Sequence, residues 1–551
     1  MNPILRRDLL EILRSRKALA FQFGLSLVCI FLVLLRWPTG NMADLSGARS
    51  IQVLRIFGFG LLSGILVLVP AFPATSLVRE KIRGTLALLL NSPMKPASIY
   101  LGKLGAVLGF TLILLIMTLP AAAACYALGG SGFKGGISLL YVILLVAALQ
   151  MASVAMLVSS RSNSTDGALR VTYAIVLALC ILPMAPYALL QGGSLPLVDA
   201  SSWLRCLSPI PPTMEVLGQV DVGLHGMATG SSTISRYLLL APFMSLICAF
   251  LTISRLNFSM LDRARAAGIM TQDRTTGQRV ARRLFFLVDP QRRSSSNSLL
   301  VNPVLTKEFR TRRFGRSQWI LRLIAMCAIL SLGLTYLALS NAIGWGIEYI
   351  GAGLVLLQIA LLILFAPSLG AGIISSEMES RSWQLLRMTP LSSGAILRGK
   401  LLSIVWPLML LLCATIPGYV VMMTIEPSLI PRVERVVACL IITALFVVLV
   451  SATASSVFRS TAAALTASYV ILMVICFVPL LIWLGREAPF GHSLVQAALI
   501  IDPVAMALQA SDAPGFEPYE LRPANWWIIG ITSAILLVIL RIRVWQLSRP
   551  D

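Results

Sequence analysis

The sequence predicts an all-α, polytopic transmembrane helical bundle of twelve spans, laid out as two parallel six-helix repeats. Three observations carry that expectation: an extreme composition, apolar runs of membrane-spanning length, and prolines that recur at one spacing. Of 551 residues, 57% are hydrophobic and 12% charged, whereas a soluble domain is about half apolar and about a quarter charged. Such a chain has too little polar surface to cover itself in water. Its apolar stretches run to roughly 20 residues, the length a helix needs to cross about 30 Å of hydrocarbon.

The expected spans lie near 18–36, 56–78, 104–126, 137–158, 169–190 and 237–256, then near 318–340, 350–374, 401–424, 436–457, 462–484 and 525–545. The formal charge of +22 could suggest a nucleic-acid partner, but its distribution excludes that reading. With a cytoplasmic N-terminus and alternating spans, about 34 of the 45 Lys and Arg fall on the cytoplasmic side, the positive-inside bias. Both termini are then cytoplasmic, in agreement with Arg541 and Arg543 at the end of the last span and Arg549 after it. Arg6 and Arg7 precede an apolar segment as in an export signal, but Arg14, Arg16 and Lys17 intervene without a small-residue cleavage site. The segment is expected to be retained.

The chain divides into a first unit at 1–256, a polar linker at 257–300 rich in arginine and ending in Ser294, Ser295, Ser296 and Asn297, and a second unit at 301–551. The repeat itself is read from the prolines. Pro70 and Pro367, Pro93 and Pro390, and Pro120 and Pro417 are each 297 residues apart; Pro183 and Pro479 are 296 apart, and Pro209 and Pro503 are 294 apart. Asn2 and Pro3 recur as Asn302 and Pro303, Tyr173 as Tyr469, and Gly102 and Lys103 as Gly399 and Lys400. An even number of spans per unit sets both copies in one orientation, related about an axis along the membrane normal. The two halves are expected to face each other as an intramolecular pseudo-dimer. The prolines inside spans are candidate bends.

Nine cysteines, eight of them in expected spans and Cys206 in an outer loop, offer no disulfide framework and no metal spacing. No cofactor is expected. The two histidines, His225 and His492, fall in outer loops, and the acidic residues there, Asp199, Asp221 and Asp502, read as solvated surface. An enzyme site is not expected. Gly394, Gly399 and Lys400 fit most of a phosphate-loop pattern, but Leu401 stands where Ser or Thr is required and no strand precedes them. An ion-gradient-driven secondary transporter is the alternative reading. It would place a carboxylate or histidine near the bilayer midplane, where this sequence offers mainly Gln150 and Gln358.

Two segments carry mechanism. Each unit opens on a short basic amphipathic stretch, Asn2 to Arg14 and Asn302 to Arg310, expected to lie in the headgroup plane. Between the second and third spans runs Arg79 to Pro93 and on to Gly102 and Lys103, repeated from Glu377 to Pro390 and on to Gly399 and Lys400. A charged start, a short apolar-faced helix and a proline stop suit docking into a groove of a soluble partner.

With its interfacial helix, its Glu-x-x-x-Gly-Thr segment, its proline and its Gly-Lys, the chain resembles the permease of type-2 ABC exporters. The resemblance implies a permease that couples through the segment between spans 2 and 3 to a separately encoded ATP-hydrolysing subunit, in two copies, in a cytoplasmic membrane. It also implies that short helices in the outer loop at 191–236 dip back into the membrane. The implied coupling residues are Glu80, Gly84, Thr85, Pro93, Gly102 and Lys103, then Glu377, Pro390, Gly399 and Lys400, with Arg381 and Ser382 departing from Gly-Thr in the second copy.

Overall fold

The computed structural model describes residues 2–14, 48–129, 136–162, 164–184, 186–187, 195–218, 233–256, 302–311, 347–425, 427–486 and 491–548, with Gln22 and Gly24. Among them the chain is helical and contains no strand. Among the described residues nine helices are long and apolar enough to cross a membrane, and a bent pair, His492–Leu499 with Pro503–Ala510, would add a tenth. Apart from Gln22 and Gly24, the expected spans at 18–36 and 318–340 and the linker at 257–300 lie outside the described residues, as does Asp221. The fifth expected span is a helix of 17 residues, Thr165–Ile181.

The chain forms two compact units: Met1–Ala264 with Leu480–Val495, and Arg265–Pro479 with Gln496–Asp551. In the first, an amphipathic helix α1 (Pro3–Leu13), the segment expected to be interfacial, is followed by α2 (Ala48–Leu68), α3 (Ala71–Arg83), the short α4 (Thr85–Asn91), α5 (Pro96–Gly129), α6 (Gly136–Arg161), α7 (Thr165–Ile181), α8 (Leu195–Arg205), α9 (Ile210–Val216) and α10 (Thr233–Arg255). The most buried of them, α6, packs against α10, α3, α5, α7 and α2. Its small residues Ala147, Ala148, Ala152, Ser153 and Ala155 let neighbouring backbones approach closely, which is how helices associate where lipid supplies no hydrophobic drive.

Farther along the chain run α11 (Pro303–Thr311), α12 (Ile347–Gly370), α13 (Ser375–Glu379), α14 (Trp383–Arg387), α15 (Ser393–Cys413), α16 (Ile416–Ile425), α17 (Ile430–Val457), α18 (Thr461–Leu484), α19 (His492–Leu499), α20 (Pro503–Ala510) and α21 (Ala524–Ser548), all in the second unit except the end of α18 and the start of α19. Here α17 takes the central place, against α21, α12, α15 and α20. Particular hydrogen bonds recur between the units. The Tyr173 hydroxyl donates to the Val67 carbonyl at 2.6 Å and Tyr469 to Leu364 at 2.7 Å. Ser159 Oγ accepts from the Val78 amide, and Ser455 Oγ from the amides of Ile374 and Ser375. The last two amides belong to the turn where the second span breaks. Backbone donors freed by a broken helix need such partners in an apolar medium.

The breaks follow the prolines, though not identically. Pro70 sits between α2 and α3, whereas Pro367 stays inside α12 and its chain breaks after Gly370. Pro120 and Pro479 lie within helices, Pro183 follows the end of α7, and Pro417 stands at the start of α16. Buried amides are tied internally: Gln150 accepts from the Tyr237 hydroxyl and donates to the Leu207 carbonyl, while Gln358 accepts from Tyr419 and donates to Thr415. Five of the described cysteines, Cys206 among them, are buried and Cys413 is exposed.

The outer surface is apolar. On α21, Trp527, Ile531, Ile535, Val538, Ile542 and Trp545 are exposed in one stripe, while Asn525, Ile529, Leu540 and Val544 are buried. A helix that turns its hydrophobic stripe outward is solvated by lipid.

One expectation is corrected. Asp502 is fully buried, not solvated surface. It is the N-cap of α20: its Oδ1 accepts from the Val504 amide at 2.8 Å. Asn525 holds the bend by donating to the carbonyls of Ile500 and Asp502. Ser208, at the corresponding place in the first unit, caps Ile210 in the same way. A residue placed just before a helix-starting proline serves the helix end. The turn that it caps bends α19 against α20 by 103°.

Gly370 lies where α12 crosses α17, and an added Cβ would collide with Ser451. Gly370→Ala is expected to destabilise the protein by about 1–3 kcal/mol, read as a lowered melting temperature in detergent, whereas the same change at Gly353, where nothing lies within 4 Å, leaves it unmoved.

Candidate functional site

Each unit builds a clamp that joins its interfacial helix to the root of its third span. In the first, Asn2 caps α1: its Oδ1 accepts from the Ile4 amide, and Pro3 occupies the first helical position, where no amide is needed. The Asn2 amide group reaches across to donate to the Ser98 carbonyl at 2.6 Å. Gly102 makes the approach possible, since a Cβ there would stand 2.9 Å from Asn2 Nδ2 and 3.0 Å from Ile4 Cβ. The second unit repeats the arrangement: Asn302 caps Val304 and donates to the Ala395 carbonyl at 2.7 Å, and Gly399 leaves the space that Asn302 and Val304 occupy.

Beside each glycine stands a buried lysine. Lys103 Nζ lies 2.9 Å from Glu80 Oε1 and 3.3 Å from Asp8 Oδ2, while Arg7 pairs with the same two carboxylates. Lys400, 1% exposed, lies 3.0 Å from Glu308 Oε1 and 2.8 Å from Glu377 Oε2, and donates to the Ile373 carbonyl. Lys307 completes that set against Glu377 Oε1. Each cluster holds two positive and two negative groups. Net neutrality and multiple partners are what make buried charge tolerable. Burial works against the charge of Arg7, but hydrogen bonds and attraction from Asp8, then from Glu80, outweigh it and raise its pKa above the ordinary arginine value.

From this base projects the short helix between the second and third spans. Gly84 ends α3 in the left-handed region, at φ 75°, and so turns the chain into α4. Arg381, its counterpart 297 residues on, takes the same conformation at φ 57°. The turn survives the departure from glycine, at the expense of a strained residue. On α4, Leu86 is buried and Leu88 is 71% exposed; on α14, Trp383 is buried and Leu385 is 69% exposed. The Trp383 indole donates to the Leu547 carbonyl, which ties α14 to the end of α21.

The residues implied by resemblance thus separate into two groups. Gly84, Thr85, Pro93, Arg381 and Pro390 are exposed; Gly102, Lys103, Glu377, Gly399 and Lys400 are buried, with Glu80 and Ser382 between. Asp8, Arg7, Glu308 and Lys307 join the clusters although no motif singled them out. Their signal was present: each pair is spaced 300 residues apart, like Asn2 and Asn302. Among the described residues no group of His, Cys, Asp and Glu could hold a metal.

The long apolar helices make this a multi-pass helical membrane protein. Residues 3–188 match the family model described as ABC-2 type transporter. The matched segment is about a third of the chain and runs from α1 through α7. That family implies pairing with an ABC ATPase subunit. No curated protein matches the chain.

Two substitutions test the clamp. Lys400→Met strands Glu308 and Glu377 in a buried site and is expected to cost about 3–5 kcal/mol, measured as loss of thermal stability in detergent. Arg381→Gly relieves the left-handed backbone and should stabilise the protein by about 0.5–1 kcal/mol in the same assay.

Proposed function

We propose that this chain is the membrane-spanning component of an ATP-driven exporter in a cytoplasmic membrane, with both termini cytoplasmic and two tandem six-helix units acting as an intramolecular pseudo-dimer of twelve spans. Its α4 and α14 dock on two copies of a separately encoded ATPase; the chain itself is not an enzyme. The observation that carries this is the pairing, in both units, of an exposed leucine on a short helix with a buried ion cluster at that helix's base. Leu88 and Leu385 are 297 residues apart and similarly exposed, and Met388 at the end of α14 is 82% exposed. An apolar side chain there, outside the lipid-facing stripes, suits a protein groove. The clusters behind it make a stiff connection from the docked helix to the third span, as a lever requires.

In this reading the twelve coupling positions divide their labour. Gly84, Thr85, Pro93, Arg381, Ser382 and Pro390 shape the docking segment, and Glu80, Gly102, Lys103, Glu377, Gly399 and Lys400 transmit its motion. The gradient-driven alternative lacks its ion site: among the described residues no carboxylate lies midway along a span, and Gln150 and Gln358 are occupied by tyrosines.

Affinity purification of the tagged chain from its native membrane, with the recovered ATPase identified by mass spectrometry, tests this. Leu88→Asp and Leu385→Asp should each reduce recovered ATPase about tenfold or more, since burying a leucine is worth about 1.5–3 kcal/mol. Undiminished recovery with both substitutions together would reject the docking role.

A further inference from the structure

The two ion clusters differ in one respect. In the second unit a cation stands against each oxygen of Glu377, Lys307 at Oε1 and Lys400 at 2.8 Å from Oε2, although Oε2, like its counterpart on Glu80, makes no hydrogen bond. In the first, Arg7 and Lys103 both crowd onto Glu80 Oε1, and the buried Glu80 Oε2 has no partner. A buried carboxylate oxygen without a donor is costly. Glu80 lines a cavity of about 450 Å³ bounded by α1, α3 and α5.

Two guanidiniums stand on the same rim. Arg79 and Arg83 line the cavity one helical turn apart on α3, both exposed. Among the described residues neither pairs with a carboxylate, and Arg79 has only Thr75 at 3.5 Å. Like charges at that spacing repel on an isolated helix. The corresponding positions in the second unit are Ser376 and Ser380, so the arginines are not required by the clamp that both units share. The rest of the lining includes the carboxylates of Asp8 and Glu11, the cations Arg7 and Lys103 that stand near them, and the apolar Ile12, Phe72 and Val107. The cavity therefore joins an anion-binding rim, a spare carboxylate oxygen and an apolar wall, on the interfacial helix.

We propose that this cavity binds the headgroup of a phospholipid bearing a primary amine. The phosphate sits between Arg79 and Arg83, the ammonium donates to Glu80 Oε2, and the acyl chains leave along Phe72 and Val107. The site belongs to the first unit alone and does not depend on the transport reading.

The test is lipid analysis of the full chain purified in mild detergent, followed by exchange with defined lipids. Wild type should retain phosphatidylethanolamine at close to one per chain, and Arg79→Gln with Arg83→Gln should lower retention about tenfold. Both positions are exposed, so folding is unaffected, as an unchanged melting temperature will confirm. Phosphatidylcholine, whose quaternary ammonium has no N–H to donate, should not replace the retained lipid. Absence of retained phosphatidylethanolamine from wild type, equal retention by the variant, or equal retention of phosphatidylcholine would each overturn the proposal. Displacement by millimolar glycerophosphoethanolamine would show a soluble ligand and overturn its lipid nature. Because the readout is bound lipid, failure here leaves ATPase recovery untouched, and the reverse holds too.

Discussion

A lysine buried between two carboxylates organises each half of this protein. It stands at the root of the third span and reaches one acid on the interfacial helix and one at the end of the second span. Three segments distant in sequence are thereby held at one point. Such a cluster adds little net stability relative to apolar packing, but it is severe in what it forbids. Moving any one of the three segments alone would strand a charge. The interfacial helix, the second span and the third span therefore move together or not at all.

Glycine makes that junction possible at the level of the backbone. A helix cap, an asparagine amide and a carbonyl on another helix come together only because Gly102 and Gly399 lack side chains. The Asn-Pro and Gly-Lys pairs, which look unrelated along the chain, are the two halves of one contact. The strained Arg381 makes the same point from the other direction. The turn into the connection helix is kept even where the residue best suited to it has been lost.

Much of this architecture was legible in the sequence. Hydrophobic runs mark the spans because a lipid solvent tolerates little else, and the proline spacing marks matching helix ends at Pro93 and Pro390 and helix starts at Pro209 and Pro503, while the prolines within spans fall at differing places. The ion clusters were only half legible. Glu80, Lys103, Glu377 and Lys400 stood out in a shared pattern, but their role followed from resemblance, and Asp8 and Glu308 recur 300 residues apart without a motif that names them. Pairing through space leaves no fixed spacing, and the interfacial segments recur at 300 while the lysines recur at 297. Asp502 was misread for a related reason. An acidic residue in an outer segment is ordinarily solvated, and only the fold reveals that its carboxylate closes a helix end.

The tryptophans of α21 set a scale for the surrounding bilayer. Trp527 and Trp545 are exposed at the two ends of one apolar stripe, and at about 1.5 Å per residue they stand roughly 27 Å apart. Indole rings prefer the headgroup boundary, and the exposed Arg541 and Arg543 reach toward it from the last turns, so the hydrocarbon this helix spans is at most that thick. A thicker membrane cannot be met by greater tilt, which shortens the vertical span of the stripe. It must instead thin around the protein. The protein thus imposes a thickness on its lipid neighbours, and bilayer composition acts on it mechanically.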